Sequence, residues 1–155
     1  MGRNKVIIKI YKSKSGFTLV ELIITVAIAA IIGGIVFAFF NPLSQLARGR
    51  NNQRTTHINI IASAAKERLI EYRGAFGTNC SSGPLPATTT QIGTGAGNYN
   101  LSACLIPNYL TVMPQDPITG TATSTGYTIL YTSSTMQITI SAPAAELGEV
   151  ISVIR

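Results

Sequence analysis

From Phe17 to Phe40 the chain reads FTLVELIITVAIAAIIGGIVFAFF, twenty-four residues with one charge, Glu21. No other feature constrains the fold as strongly. About twenty apolar residues suffice for a helix to cross a bilayer, and in hydrocarbon every backbone N–H and C=O must be bonded within the segment. The run is therefore predicted to be a membrane-spanning helix, with a globular part built from the residues that follow.

Charge supports this placement. Of twelve basic residues, five (Arg3, Lys5, Lys9, Lys12, Lys14) fall in the first sixteen positions with no acid among them, which leaves seven against six acidic residues in the remainder. A formal net charge of +6 could point to nucleic acid. A basic excess lying directly before an apolar run instead follows the positive-inside pattern, which holds that end in the cytoplasm and argues against a nucleic-acid partner. Arg48, Arg50 and Arg54, just past the run, are expected to meet lipid headgroups or neighbouring subunits.

Pro42 lacks the N–H that bonds back one turn and biases Asn41 away from helical geometry, so a kink or looser turn is predicted around Gly33, Gly34 and Pro42. Beyond it Leu43, Leu46, Ala47, Ile58, Ile61, Ala62, Ala65, Leu69 and Tyr72 recur at three- and four-residue spacing, while Arg54, Lys66, Glu67, Glu71 and Arg73 fall mostly elsewhere. That period predicts an amphipathic helical continuation to residue 73. Glu67 and Glu71, with Lys66, Arg68 and Arg73 beside them, read as a solvated charged face and not as an acid–base pair.

Gly74 to Gly97 is dense in Gly, Ser, Thr and Pro and reads as a long surface loop. YTILYT (Tyr127–Thr132) and MQITIS (Met136–Ser141) alternate apolar and polar residues around Ser133, Ser134 and Thr135, the pattern of an antiparallel hairpin, and EVISVI predicts a third strand. The expected fold is α+β: a long N-terminal helix, half transmembrane and half amphipathic, packed on a small antiparallel sheet of about three strands. The corresponding segments are a leader at 1–16, a transmembrane helix at 17–40, its amphipathic continuation at 41–73, and a loop with a sheet-bearing head at 74–155. Cys80 and Cys104 bracket the loop least able to hold itself by burial, and a disulfide between them is expected, two buried thiols being the alternative. With one histidine, His57, and no C-x-x-C pair, no metal set and no cofactor are expected.

The segment KSKSGFTLVELIITVAIAAII resembles, nearly residue for residue, the prepilin signal of type IV pilins, type II secretion pseudopilins and related competence filaments. It joins a basic leader ending in Gly16, the aromatic Phe17, Glu21 four positions beyond, and an unbroken apolar helix. The resemblance is close over residues 12 to about 40, loose over the rest of the helix, and architectural for the C-terminal half. It implies cleavage after Gly16 on the cytoplasmic side by a membrane-embedded prepilin peptidase and methyltransferase, then N-methylation of Phe17. A secretory signal differs, since its apolar region lies ahead of the cut and is shorter. Glycine has no Cβ, so a peptidase can approach its backbone closely.

Glu21 is the second informative residue. An acid at the centre of a membrane helix costs about 2.5–3.5 kcal/mol on insertion scales and is usually functional. The resemblance assigns its partner as the new amine of Phe17 in an adjacent subunit; snorkelling or pairing with its own N-terminus is the alternative. PQDPITG (Pro114–Gly120) resembles the turn before the sheet in major pseudopilins. There Asp116 is expected to cap a turn through its side chain, in preference to a calcium role, for which only Asp116, Glu146 and Glu149 lie beyond Gly74.

The resemblance thus implies a structural filament subunit anchored once in the bacterial inner membrane with its N-terminus in the cytoplasm. Its partners are other pilins in a helical homo-oligomer, the inner-membrane assembly platform and the lipid bilayer, and the filament is periplasmic or extracellular. A membrane-tethered surface-binding or DNA-uptake minor pilin, using the loop from Gly74 to Ala103, is the alternative. An enzyme is disfavoured, because no Ser, His and Asp set has the spacing of a nucleophile and its base.

Overall fold

The computed structural model describes residues 16–39 and 41–155. The leader expected at 1–16 and the end of the apolar run at Phe40 therefore lie, but for Gly16, outside the described residues. The chain divides into two compact units, Met1–Asn41 and Pro42–Arg155.

In the first unit, α1 spans Leu19–Phe39, 21 residues, which at the helical rise gives about 30 Å, the thickness of a bilayer's hydrocarbon core. None of the stretch Leu19–Phe37 is buried, although it is apolar on all sides. A helix with that surface needs lipid or other helices around it. The helix runs through Gly33 and Gly34 without interruption, contrary to the looser turn expected there. The break falls where Pro42 disfavours α geometry in the residue before it.

In the second unit, α2 begins at Pro42, a residue whose fixed φ and missing N–H suit the first turn, and runs to Glu71. It ends in a Schellman turn: Arg73 is left-handed at φ 52, and the N–H of Gly74 and of Arg73 reach back to the carbonyls of Leu69 and Ile70 at 2.8 and 3.0 Å. The buried residues of α2 include Ala47, Asn51, Arg54, Ile58, Ile61, Ala65, Arg68 and Leu69, a stripe at helical spacing. Two expectations are corrected here. Leu43 and Leu46 are 74% and 60% exposed, so the stripe starts at Ala47. Arg54 and Arg68, expected on the solvated side, lie on the buried one.

The sheet is an antiparallel meander in the order β1-β2-β3-β4. β2 (Thr128–Thr132) and β3 (Gln137–Ala142) form the expected hairpin, with Ile129 opposite Ile140, and β4 (Ile151–Ile154) pairs with β3. A fourth strand, β1 (Thr90–Gln91), pairs with β2 inside the segment expected to be loop. Two residues without apolar alternation leave no strand signal; β1 is held by the edge of β2. Ile138, Ile140 and Ile151 pack on Ile58, Ile61, Ala62 and Ala65 of α2 in one core. The short helix α3 (Ser102–Leu105) adds Cys104 and Leu105 to it. Cys104 is bonded to Cys80, 24 positions earlier, with the Cα atoms 5.1 Å apart.

Candidate processing and assembly site

Gly16 and Phe17 are exposed, Phe17 at 75%, and lie ahead of the first turn of α1. Thr18 starts the helix. Its carbonyl accepts from the N–H of Leu22 at 3.1 Å and its Oγ1 accepts from the N–H of Glu21 at 3.2 Å. This is the N-cap arrangement, in which a side-chain oxygen takes one of the four N–H groups that the first turn leaves without partners. Thr18-Leu19-Val20-Glu21 also has the T-x-x-E spacing of a capping box. Sequence reasoning missed Thr18, though that spacing was its signal. Glu21, in the first turn, also lies where the helix dipole favours an anion.

Glu21 is exposed and makes no ion pair among the described residues. The helix therefore presents one carboxylate and a backbone stretch with no side chain at Gly16, bordered by Phe17.

The head holds a second polar constellation, built from residues far apart in sequence. Arg54 is fully buried on α2. Its Nε donates to Asp116 Oδ2 at 2.6 Å, while Nη1 donates to Glu146 Oε2 at 2.8 Å and to Asn51 Oδ1 at 3.0 Å. Glu146 is also gripped by Arg50, through Nε at 2.7 Å and Nη2 at 2.6 Å. The expectation that Arg50 and Arg54 meet lipid or neighbours is corrected: both are spent on carboxylates of their own head. Asp116 Oδ1 accepts from the N–H of Ile118 and Thr119 at 2.9 and 2.8 Å, so it caps its turn while also neutralising Arg54. Burial alone would raise the Asp116 carboxyl; the Arg54 guanidinium and the Thr119 and Ile118 N–H groups outweigh it and hold the carboxyl at about 2. The bonds from Arg50, then Arg54, hold Glu146 at about 2 as well.

Arg68 is likewise drawn inward from its expected charged face. Its guanidinium lies 4.5 Å from the Tyr72 ring centre and 5.4 Å from that of Phe76, and it donates to the carbonyls of Phe76 and Thr78. Glu71 accepts a hydrogen bond from Tyr109 Oη. His57 faces the Tyr127 hydroxyl at 2.9 Å, and among the described residues no three His, Cys, Asp or Glu side chains cluster as a metal set.

A family model described as the prokaryotic N-terminal methylation motif matches residues 11–37, covering Gly16, Phe17, Thr18, Glu21 and most of α1. The chain carries the type IV pilin and pseudopilin signature. The signature is that of type IV pilin-like and pseudopilin precursors, and the match is confined to this N-terminal segment. It implies processing by a prepilin peptidase and assembly into filaments, and it fits a single-pass anchor formed by α1. Beyond the pilin signature, neither the curated proteins nor the solved structures yield a match.

Proposed function

We propose that the chain is a prepilin, the subunit of a type IV pilus or a type II secretion pseudopilus, cleaved between Gly16 and Phe17, N-methylated on Phe17 and polymerised through α1. The observation that carries this reading is the coincidence of the methylation motif at 11–37 with an apolar helical stretch, Leu19–Phe37, that is nowhere buried and holds one carboxylate, Glu21. A helix with an apolar surface on every side needs lipid or other helices around it, and a filament supplies the second once the subunit leaves the first.

On this reading residues 1–16 are a cytoplasmic leader, 17–40 the inner-membrane anchor, 41–73 its amphipathic continuation and 74–155 the displayed head. Cleavage generates the positive α-amine of Phe17, which neutralises Glu21 of an adjacent subunit. The partners are the peptidase and methyltransferase, the assembly platform and other pilins. The test is assembly: protein co-produced with a prepilin peptidase, an assembly platform and its motor is examined by electron microscopy. Filaments labelled by antibody to the head are expected, and their absence from processed protein in a system that assembles its own pilin overturns the reading.

A further inference from the structure

The two edges of the sheet are treated differently. The β1 edge is two residues long, and the chain folds over it: Ile92 bridges Tyr99, whose N–H bonds to the Gln91 carbonyl at 2.8 Å. That is a blunted edge. The β4 edge is not covered in this way. Arg155 and Ile138 exchange both backbone hydrogen bonds, at 2.8 and 3.0 Å. Alternation along an antiparallel strand then turns the N–H and C=O of Val153 and Ile151 towards β3 and those of Ile154 and Ser152 outwards, and the same alternation, continued one residue ahead of β4, turns those of Val150 outwards. Among the described residues no backbone group takes these outward groups. Ser152 is exposed, Ile154 is 57% exposed and Val150 92%.

We propose that this edge pairs with the same edge of a second copy, antiparallel and about a two-fold axis through Ser152, so that two heads share one eight-stranded sheet. The sequence of the edge is its own complement. Centred on Ser152, the run Glu149-Val150-Ile151-Ser152-Val153-Ile154-Arg155 sets Val150 against Ile154 of the second copy and Glu149 against its Arg155. The two-fold repeats both pairs. The apolar pair joins the two large exposed side chains of the edge, and the end pair matches opposite charges, each a favourable cross-strand combination. The side-chain faces agree: Glu149 bonds Asn51 and Arg155 bonds Asn59, both on α2, so both charged groups stand on the helix side of the sheet. A one-residue slip would lose the charge match and turn the pairing groups away.

Two-fold pairing is self-closing, whereas neighbours within a helical filament repeat head to tail. On the filament reading the contact therefore joins heads of different filaments, where many weak pairs act together. The pairing itself concerns the unit Pro42–Arg155 and holds whether or not filaments form.

Opposed residues of a hydrogen-bonded antiparallel pair have Cα atoms about 5.5 Å apart, within the range a disulfide spans. The full chain carrying Ser152→Cys, in detergent with a mild oxidant, is expected to form a covalent dimer, and Ser134→Cys at the exposed hairpin tip is not. On the Ser152→Cys background, Glu149→Arg and Arg155→Glu should each lower the dimer yield roughly tenfold, two pairs being reversed at once. The double reversal should restore it. No dimer from Ser152→Cys, an equal yield from Ser134→Cys, a disulfide to some other protein in place of a second copy, or a double reversal no better than the singles overturns the proposal.

Discussion

On the membrane-anchor reading Glu21, like the buried Arg54, places a charge where water is scarce, and the two recover its cost differently. Arg54 finds Asp116 and Glu146 in its own head, whereas Glu21 has no ion-pair partner among the described residues. On the proposed pairing, Glu21→Ala leaves the Phe17 amine of the neighbouring subunit without its counter-charge, and losing one member of a buried pair costs about 3–5 kcal/mol. Membrane insertion should be equal or slightly better, since Ala sits more easily in hydrocarbon than an acid. Filament yield should collapse while the processed, membrane-resident subunit persists. Both are read by quantitative blotting of sheared and membrane fractions, and normal filaments would disprove the pairing. For Arg54→Ala the expected loss is in the head, again about 3–5 kcal/mol, because Asp116 is left buried and charged. Thermal unfolding followed by circular dichroism should show a fall of ten degrees or more, and an unchanged midpoint would mean that the buried pair contributes nothing net.

Among the elements, those whose signal is local were legible. The apolar run gave α1, and the alternation in YTILYT and MQITIS gave β2 and β3 within a residue of their ends. Elements that exist only through partners were not: β1 is two residues held by β2, and no alternation can show in so short a piece. The buried stripe of α2 was read from its apolar members alone. Asn51 and Arg54 continue the three- and four-residue spacing between Ala47 and Ile58, but a polar residue there signals burial only once its partner is known. Asp116 lies 62 positions from Arg54 and Glu146 lies 92 away. The Cys80–Cys104 bond ties α3 to the segment that follows α2. Closing a loop of that length is worth roughly 3 kcal/mol in the chain-entropy model. Reduction under native conditions should lower the unfolding midpoint of the head without changing α1, and an equal midpoint with and without reductant would contradict that contribution.

In the whole molecule, the candidate site was legible because its chemistry is written contiguously in one segment, while the electrostatic lock of the head was not, being assembled from three. That lock sets an acid limit. The Asp116 carboxyl is held at about 2, below the value of about 3.9 it takes in an unfolded chain. Its stabilisation is thus present above about pH 4 and is lost as the pH falls through about 2, amounting to about 2 kcal/mol for this group. Glu146, depressed in the same direction, adds to the same window. Stability from denaturant titration should be flat from pH 7 to 5 and fall steeply below 4; a decline already complete by pH 5 would show that other groups govern it. The central claim, however, is that this is a precursor made to be cut between Gly16 and Phe17 and then methylated. The most direct measurement is the intact mass of the chain after co-expression with a prepilin peptidase. A mass equal to residues 17–155 plus one methyl group on Phe17 is predicted, with Gly16→Leu left uncut. A full-length mass in the presence of a peptidase that processes its own pilin would contradict it.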